Sequence, residues 1–232
     1  MKAILASQNA HKSSEFAAAV PKIQIMPAPA PIDVDENGST FAQNARIKAT
    51  AYAEAFHTNT LADDSGLCVD FLNGMPGIYS ARFATLPPDI DNEPDRTAAN
   101  NRKLLRALNG VPKSQRTAHF VCSLCLIIVE PDDIQNIIKK NILLPEIQYY
   151  SKDNTILSGD ISQTHHIIIS VEGHANGYIL NDLTGCGGFG YDPLFYSFEA
   201  ECTFAQLTAQ QKLTVSHRGL AIKLLNDCLG KL

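Results

Sequence analysis

Thr60-Leu61-Ala62-Asp63-Asp64-Ser65-Gly66-Leu67 is the stretch on which the fold and the chemistry of this chain turn. A short apolar run meets two adjacent carboxylates, a hydroxyl and a glycine. Neighbouring side chains of a strand point to opposite faces, so Asp63 and Asp64 cannot both face the core. If the strand ends here, one carboxylate projects into a cleft and the other ties down a turn, with Gly66 letting the backbone bend. Hard divalent cations take oxygen donors of this kind. On these eight residues alone an ordinary Asp-rich turn is the better reading, and the rest of the chain shifts that balance.

The chain has 232 residues, 45% of them hydrophobic, enough to bury a substantial core. Its net charge is −5, which opposes broad attraction to nucleic acid and leaves phosphate binding to a few placed cations. Only four apolar residues, Ala3 to Ala6, follow Met1-Lys2, so no secretory signal is expected. The longest apolar run, Leu124 to Val129, is too short to span a membrane. A cytoplasmic protein with reduced thiols is expected. Cys122 and Cys125 form a C-x-x-C, but inside an apolar strand pattern and without a second pair, so both read as core.

Upstream, Lys2 to Ala6 predicts a buried strand. Ser7-Gln8-Asn9-Ala10-His11-Lys12 then leads into a helical stretch through Phe16 to Val20. A strand, a polar turn and a helix start make an anion site, to which Lys12 adds a charge. Ile23 to Met26 predicts a second strand. Asp33, Asp35 and Glu36 form an acidic cluster that suits solvated surface or a metal ligand. Thr40 to Gln43 fits a capping box, and Phe41, Ala45, Ala49, Tyr52 and Phe56 give the helix after it an apolar face. Asn44 and Lys48, four apart, share another face of that helix.

Downstream, Asn73-Gly74 and Pro76-Gly77 mark a turn, and Pro87 to Pro94 an irregular loop. A helix is expected over Thr97 to Leu108 with Leu104, Leu105 and Leu108 inward, then a long strand over Thr117 to Val129. Residues 131–163 lack a steady period and read as an insertion with strand pieces, peripheral to any active site. His165-His166 opens another strand, on which adjacent rings point apart. The most unusual local sequence is Thr184-Gly185-Cys186-Gly187-Gly188-Phe189-Gly190-Tyr191-Asp192-Pro193. It is neither a Walker loop nor a dinucleotide fingerprint, and its glycines, aromatics and carboxylate suit a ligand contact. Thr208 to Gln211 is a further capping box, and Lys212 follows it. Ser216 caps a final helix with Leu220, Leu224 and Cys228 on one face, and His217 and Arg218 stand in its first turn, where positive charge opposes the helix dipole. An anion or polar ring beside them would relieve that conflict.

In this order, the stretches Ser7 to Lys12, Thr40 to Ala49, Ala62 to Leu67, Pro76 to Arg82, Gly187 to Pro193 and Ser216 to Gly219 resemble the inosine/xanthosine triphosphate pyrophosphatase family. The resemblance covers nearly all the chain except roughly 131–163. Ser7-Gln8 stands where the family usually has Thr-Gly, so a less tight phosphate turn is expected, and Gln43 stands where Glu is common. The resemblance implies one α/β domain over 1–232, with a long bent mixed sheet flanked by helices and two lobes around a central nucleotide cleft. It implies a homodimer and a Mg²⁺-dependent cut between the α and β phosphates of a purine nucleoside triphosphate. Carried onto these residues, Asp64 binds Mg²⁺ or acts as base, with Glu36 as second metal ligand. Ser7, Asn9, Lys12 and Lys48 hold phosphates. Phe189, Tyr191 and Asp192 pack against base and sugar, while Lys212, His217 and Arg218 read the base edge. Gln8, Ala10, His11, Ser65 and Gly190 complete the substrate-binding set. The rival readings are a pyrophosphatase of different base preference and a non-catalytic nucleotide-binding protein.

Overall fold

The computed structural model describes residues 1–7, 16, 19–85, 93–158 and 160–232. The polar turn Gln8 to Lys12 and most of the loop Pro87 to Pro94 lie outside them. Among the described residues nine strands form one mixed sheet: β1 (Lys2–Leu5), β2 (Gln24–Pro27), β3 (Thr60–Val69), β4 (Thr117–Ile128), β5 (Ile147–Tyr150), β6 (Ile156–Leu157), β7 (His166–Ile179), β8 (Phe195–Ser197) and β9 (Cys202–Thr203). The order is β2-β1-β3-β4-β7-β5-β6, with β8 against β7 and β9 against β8. β1 runs parallel to β2 and β3, whereas β5, β6, β7, β8 and β9 pair antiparallel. Five helices accompany the sheet among the described residues: α1 (Phe41–Phe56), α2 (Glu93–Ala107), α3 (Pro131–Ile138), α4 (Ala209–Val215) and α5 (His217–Lys231). The expected mixed sheet with flanking helices is therefore present. The chain divides into two units, residues 1–64, 123–172 and 221–232, and residues 65–122 and 173–220.

In unit 1 the sequence periodicity builds α1 as expected. Thr40 caps it, its side chain accepting from the Gln43 N–H at 3.2 Å, a contact worth about 1 kcal/mol. The second half of the capping box is redirected: the Gln43 side chain accepts from the N–H and hydroxyl of Ser39, not from Thr40. Phe41, Ala45, Ala49, Tyr52 and Ala53 recur at helical spacing and are buried, the last four packing with Ile4, Ala62, Cys125, Ile127 and Ile168. The helix ends at His57, which is left-handed at φ 50°.

Residues 131–163 hold more regular structure than their lack of a steady period suggests, a helix as well as the expected strand pieces. Pro131 opens α3, where its missing N–H is no loss, and Asp132 and Asp133 lie in its first turn, where the dipole favours them. Ile134 and Ile137 are buried. β5 pairs with β7 in register from Ile147↔Ile169 to Tyr150↔His166, and so lies inside the sheet order. Asn59, fully buried, ties the segment down. Its amide donates to the Lys2 carbonyl at 3.0 Å and to Asp133 at 2.7 Å, and its oxygen accepts from the Val129 and Glu130 N–H groups.

Unit 2 is built on Leu67, Val69, Leu104, Leu108, Phe120, Tyr191, Leu194, Phe195 and Phe204, all buried. α2 begins earlier than expected, at Glu93, and turns Leu104 and Leu108 inward as its spacing predicts. Buried Arg116 donates to the carbonyls of Leu108, Ile179 and Leu180. The strand does not end at the carboxylates: β3 runs on through Gly66 to Val69, and the reversal comes at Asn73-Gly74, where φ is 52° and 83°. Cys122 and Cys125 are both buried on β4, as expected.

One expectation for α5 shifts by a residue. Leu224 is 43% exposed, while Ala221, Ile222, Leu225, Cys228 and Leu229 are buried. The apolar stripe runs along the 221/225/228 spacing, one position past the one that Leu220 and Leu224 suggest.

Candidate active site

In unit 1 the helical offset of four between Asn44 and Lys48 puts both side chains against the end of the apolar part of β3. Asn44 is buried, and its amide donates to Asp64 Oδ2 at 3.1 Å. Its own oxygen accepts from the Gly38 N–H at 2.8 Å. A Cβ at Gly38 would fall 2.6 Å from that oxygen, so the approach requires glycine. Lys48 donates to the Asp63 carbonyl at 3.1 Å and pairs with Glu36 at 2.9 Å. Burial pulls the Lys48 ammonium down, but the carboxylates of Asp63, Glu36 and Asp64 together outweigh it and hold the group above its ordinary range. Asp63 is buried and Asp64 half-buried, the opposite orientation expected of neighbours on a strand.

The donor set here is oxygen-only and half-exposed at Asp64 and Glu36. That suits Mg²⁺, which commonly takes one or two carboxylates and completes its shell with water and substrate phosphates. No cluster of three or more His, Cys, Asp or Glu stands ready to hold a metal among the described residues, so the protein's share would be that small one. Glu36 also neutralises Lys48. Of the residues expected at the phosphate turn, Ser7 is described, its N–H donating to the Leu5 carbonyl at 3.0 Å. Gln8, Asn9, Ala10, His11 and Lys12 lie outside the described residues.

Unit 2 assembles the second group around Phe189. Gly188 and Gly190 flank it at φ 72° and 60°, and a Cβ at Gly188 would sit 2.1 Å from Asp192 Oδ2. That close approach lets the Asp192 carboxylate accept from the Phe189 N–H at 2.7 Å. The same carboxylate takes the Lys212 ammonium at 2.5 Å. Both partners are buried, and desolvation pushes the Asp192 carboxyl up while Lys212 pulls it down. Lys212 lies over the Phe189 ring at 4.5 Å, and the Arg218 guanidinium stands 5.7 Å from the same centroid. Arg218 also donates to Ser65 Oγ at 3.1 Å. Ser216 caps α5 as expected, its hydroxyl accepting from the Gly219 N–H.

Tyr191, Asp192 and His217, three of the expected site residues, are buried. Tyr191 is only 4% exposed, packs within the unit 2 core and donates its hydroxyl to the Ser80 carbonyl at 2.9 Å. It supports the loop from inside. Asp192 is likewise an internal anchor, 2% exposed and already committed to Lys212 and Phe189. His217 is buried with its ring stacked on Phe120, centroids 4.6 Å apart and planes 10° apart. Asn44, whose helix face with Lys48 suits a cleft, reaches Asp64 with its amide. Its four-residue offset from Lys48 was the available signal, but only the packed helix shows that its amide reaches Asp64.

A family model described as the Ham1 family matches residues 3–228. The chain belongs to the Ham1 family. Its similarity to the dITP/XTP pyrophosphatase of Desulforamulus reducens is 40% identity, covering all of this chain and 97% of that protein. The dITP/XTP pyrophosphatase of Treponema denticola is 38% identical over 96% of this chain and 95% of its own length. Among solved structures, the Ham1 protein of Staphylococcus aureus superposes with a TM-score of 0.71 at 33% identity, covering 99% of this chain and 98% of that one. A HAM1 protein from Coxiella burnetii gives 0.73 at 31% identity over the whole of both chains. The family assignment agrees with the ordered motifs of the sequence, and the structural neighbours with the mixed α/β sheet. No helix among the described residues is long and apolar enough to cross a membrane.

Proposed function

We propose that this Ham1 chain hydrolyses non-canonical purine nucleoside triphosphates such as ITP, dITP and XTP to the monophosphate and pyrophosphate. The observation that carries the reading is the pair of cations over one aromatic ring: Lys212 and Arg218 both stand at Phe189. An aromatic face stacks a purine, and fixed donors at its edge distinguish purines by their 6-substituent. Inosine and xanthosine carry a 6-oxo acceptor, which a guanidinium satisfies. Adenine carries a 6-amino donor, which leaves the guanidinium unpaired. Sites built on such donors discriminate by roughly 10⁴-fold in favourable cases. The dITP/XTP pyrophosphatase names of the relatives fit the same substrate class.

Taken by itself, the polar group of unit 1 suits phosphate chemistry. Phosphoryl transfer needs positioning and charge neutralisation more than covalent help. Lys48, held cationic by its carboxylate neighbours, neutralises phosphate charge. Asp64, oriented by Asn44, accepts the proton of the attacking water or holds the metal. The water oxygen bonds to phosphorus as the bond to the leaving phosphate oxygen breaks. Asp64 and, after it, Glu36 would hold a Mg²⁺, which when bound lowers the pKa of its water and screens the phosphates. Ser7 and the turn Gln8 to Lys12 belong to the phosphate end, and Ser65 and Gly190 to the substrate-binding set. The family resemblance implies a homodimer, the scattered cysteines suit a cytoplasmic setting, and the charge of −5 argues against nucleic acid as a partner. The test is pyrophosphate release from ITP beside ATP, with and without Mg²⁺. Release from ITP alone, and only with the metal, is expected; equal release from ATP would overturn the base assignment.

A further inference from the structure

From helix α2, neighbouring Asn100 and Asn101 reach two loops of unit 2. Asn101, 6% exposed, donates its amide to the Gly190 carbonyl at 3.0 Å. Its own side-chain oxygen is buried and has no hydrogen-bond partner among the described residues. A buried acceptor left unmade is unfavourable, so this asparagine is a poor choice for stability alone. What it does supply is a hydrogen bond to the residue after Phe189. Asn100, also buried, accepts from the Ala84 N–H at 2.7 Å and donates to the carbonyls of Ser80 and Ala81. The Ser80 carbonyl is the one that takes the Tyr191 hydroxyl. Gly190 is thus held by Asn101 directly, and Tyr191 is held through the loop that Asn100 braces.

We infer that the Asn100-Asn101 pair is a positioning bracket for the Phe189 platform, with Asn101 setting how tightly the purine end of a nucleotide is bound. Phe189 lies between two left-handed glycines, a backbone with wide freedom. Asp192 fixes the Phe189 N–H side of this turn, and Asn101 fixes the Gly190 side. Without the Asn101 bond the turn keeps its Asp192 anchor but the ring loses its set angle beneath Lys212 and Arg218. Asn101 touches none of the reacting groups assigned above and acts only through Gly190.

The inference rests on the proposed base site, and the test separates the two. Asn101→Asp keeps the size and removes the donor at neutral pH. It should raise KM for ITP about fivefold, the weight of one hydrogen bond, with little change in kcat. Binding of IMP, followed by calorimetry, should weaken by a similar factor, and competitive inhibition by inorganic pyrophosphate should not change. Gly190→Ala reaches the same turn by another route: its Cβ would meet nothing within 4 Å, but φ of 60° strains an alanine there. It should show the same pattern even where Asn101→Asp folds poorly. Unchanged IMP binding in both variants, or equal loss of IMP and pyrophosphate affinity, would overturn the bracket. Wild-type protein that binds IMP but does not turn over ITP would overturn the proposed function and leave the bracket standing.

Discussion

The two units use charge in different ways. In unit 1 the carboxylates of Glu36 and Asp64 are half-exposed, with Lys48 paired to Glu36 and the Asn44 amide donating to Asp64. In unit 2 the Asp192 carboxylate is buried, with Lys212 and the Phe189 N–H both on its Oδ2. Water-accessible carboxylates keep their charge and can exchange partners, which is what a metal or an attacking water needs. A sealed ion pair cannot exchange partners without leaving a bare charge in a low dielectric. The first arrangement fits chemistry. The second fits a rigid support that aims Lys212 and the ring it covers.

The bluntest way to break the comparison is to remove 131–163 and close the gap with a short turn. This would strip α3 and β5 from unit 1 and leave Asn59 without Asp133, so loss of soluble, cooperatively folding protein is expected. A folded, active deletion would show that unit 1 does not depend on the segment. Next in size is Asp64→Asn. The amide keeps the shape and a partner for Asn44 but loses the charge. Pyrophosphate release from ITP should fall by about 10²-fold or more, the scale of removing one group that stabilises developing charge. The melting temperature should stay close to wild type, and near-normal turnover would end the assignment.

Asp192→Asn makes the converse case. It leaves Lys212 buried beside no carboxylate, which costs roughly 3–5 kcal/mol. Chemical denaturation should report that loss, in contrast to Asp64→Asn. A melting curve as stable as wild type would mean that the pair is not the support described.

Arg218→Ala gives a smaller and more specific effect. If the guanidinium reads the base, kcat/KM should fall far more for ITP than for ATP, by about 1–3 kcal/mol of discrimination. A parallel fall for both nucleotides would place Arg218 at a phosphate instead. The smallest effect concerns Lys48. Its folded pKa is raised above the ordinary 10.5, so its contribution to stability is full below that value and is lost as pH rises through the folded value. Replacing it with Gln should lower stability by roughly 1 kcal/mol or less, as for partly exposed pairs. That gap should hold steady from about pH 7 to 10 and close above the ordinary lysine pKa. A gap that closes below pH 9 or so would contradict the raised direction.

Features set by neighbours in the chain were legible in the residues. The Thr40 cap, the apolar face of α1, the Thr208 capping box, the long β4 strand and the glycine run all follow from local spacing and backbone preference, which act over three or four residues. So did the family, because its motifs recur in order along the chain. The α3 helix had a local signature too, Pro131 with Asp132 and Asp133 before Ile134 and Ile137, but the polar, irregular stretch after it obscured the signal. What spacing does not hold is which partner a side chain meets. Asp64 and Asp192 are both carboxylates near glycine, yet one stays open and the other is sealed, because Lys212 arrives from a helix twenty residues further on. Tyr191 looks like exposed aromatic surface in a glycine loop, and only the carbonyl of Ser80, 111 residues away in sequence, turns it inward. Local sequence sets the backbone through short-range sterics and hydrogen bonds. Burial, and with it the charge state and the task of each polar group, is decided by distant segments that only the packed structure brings together.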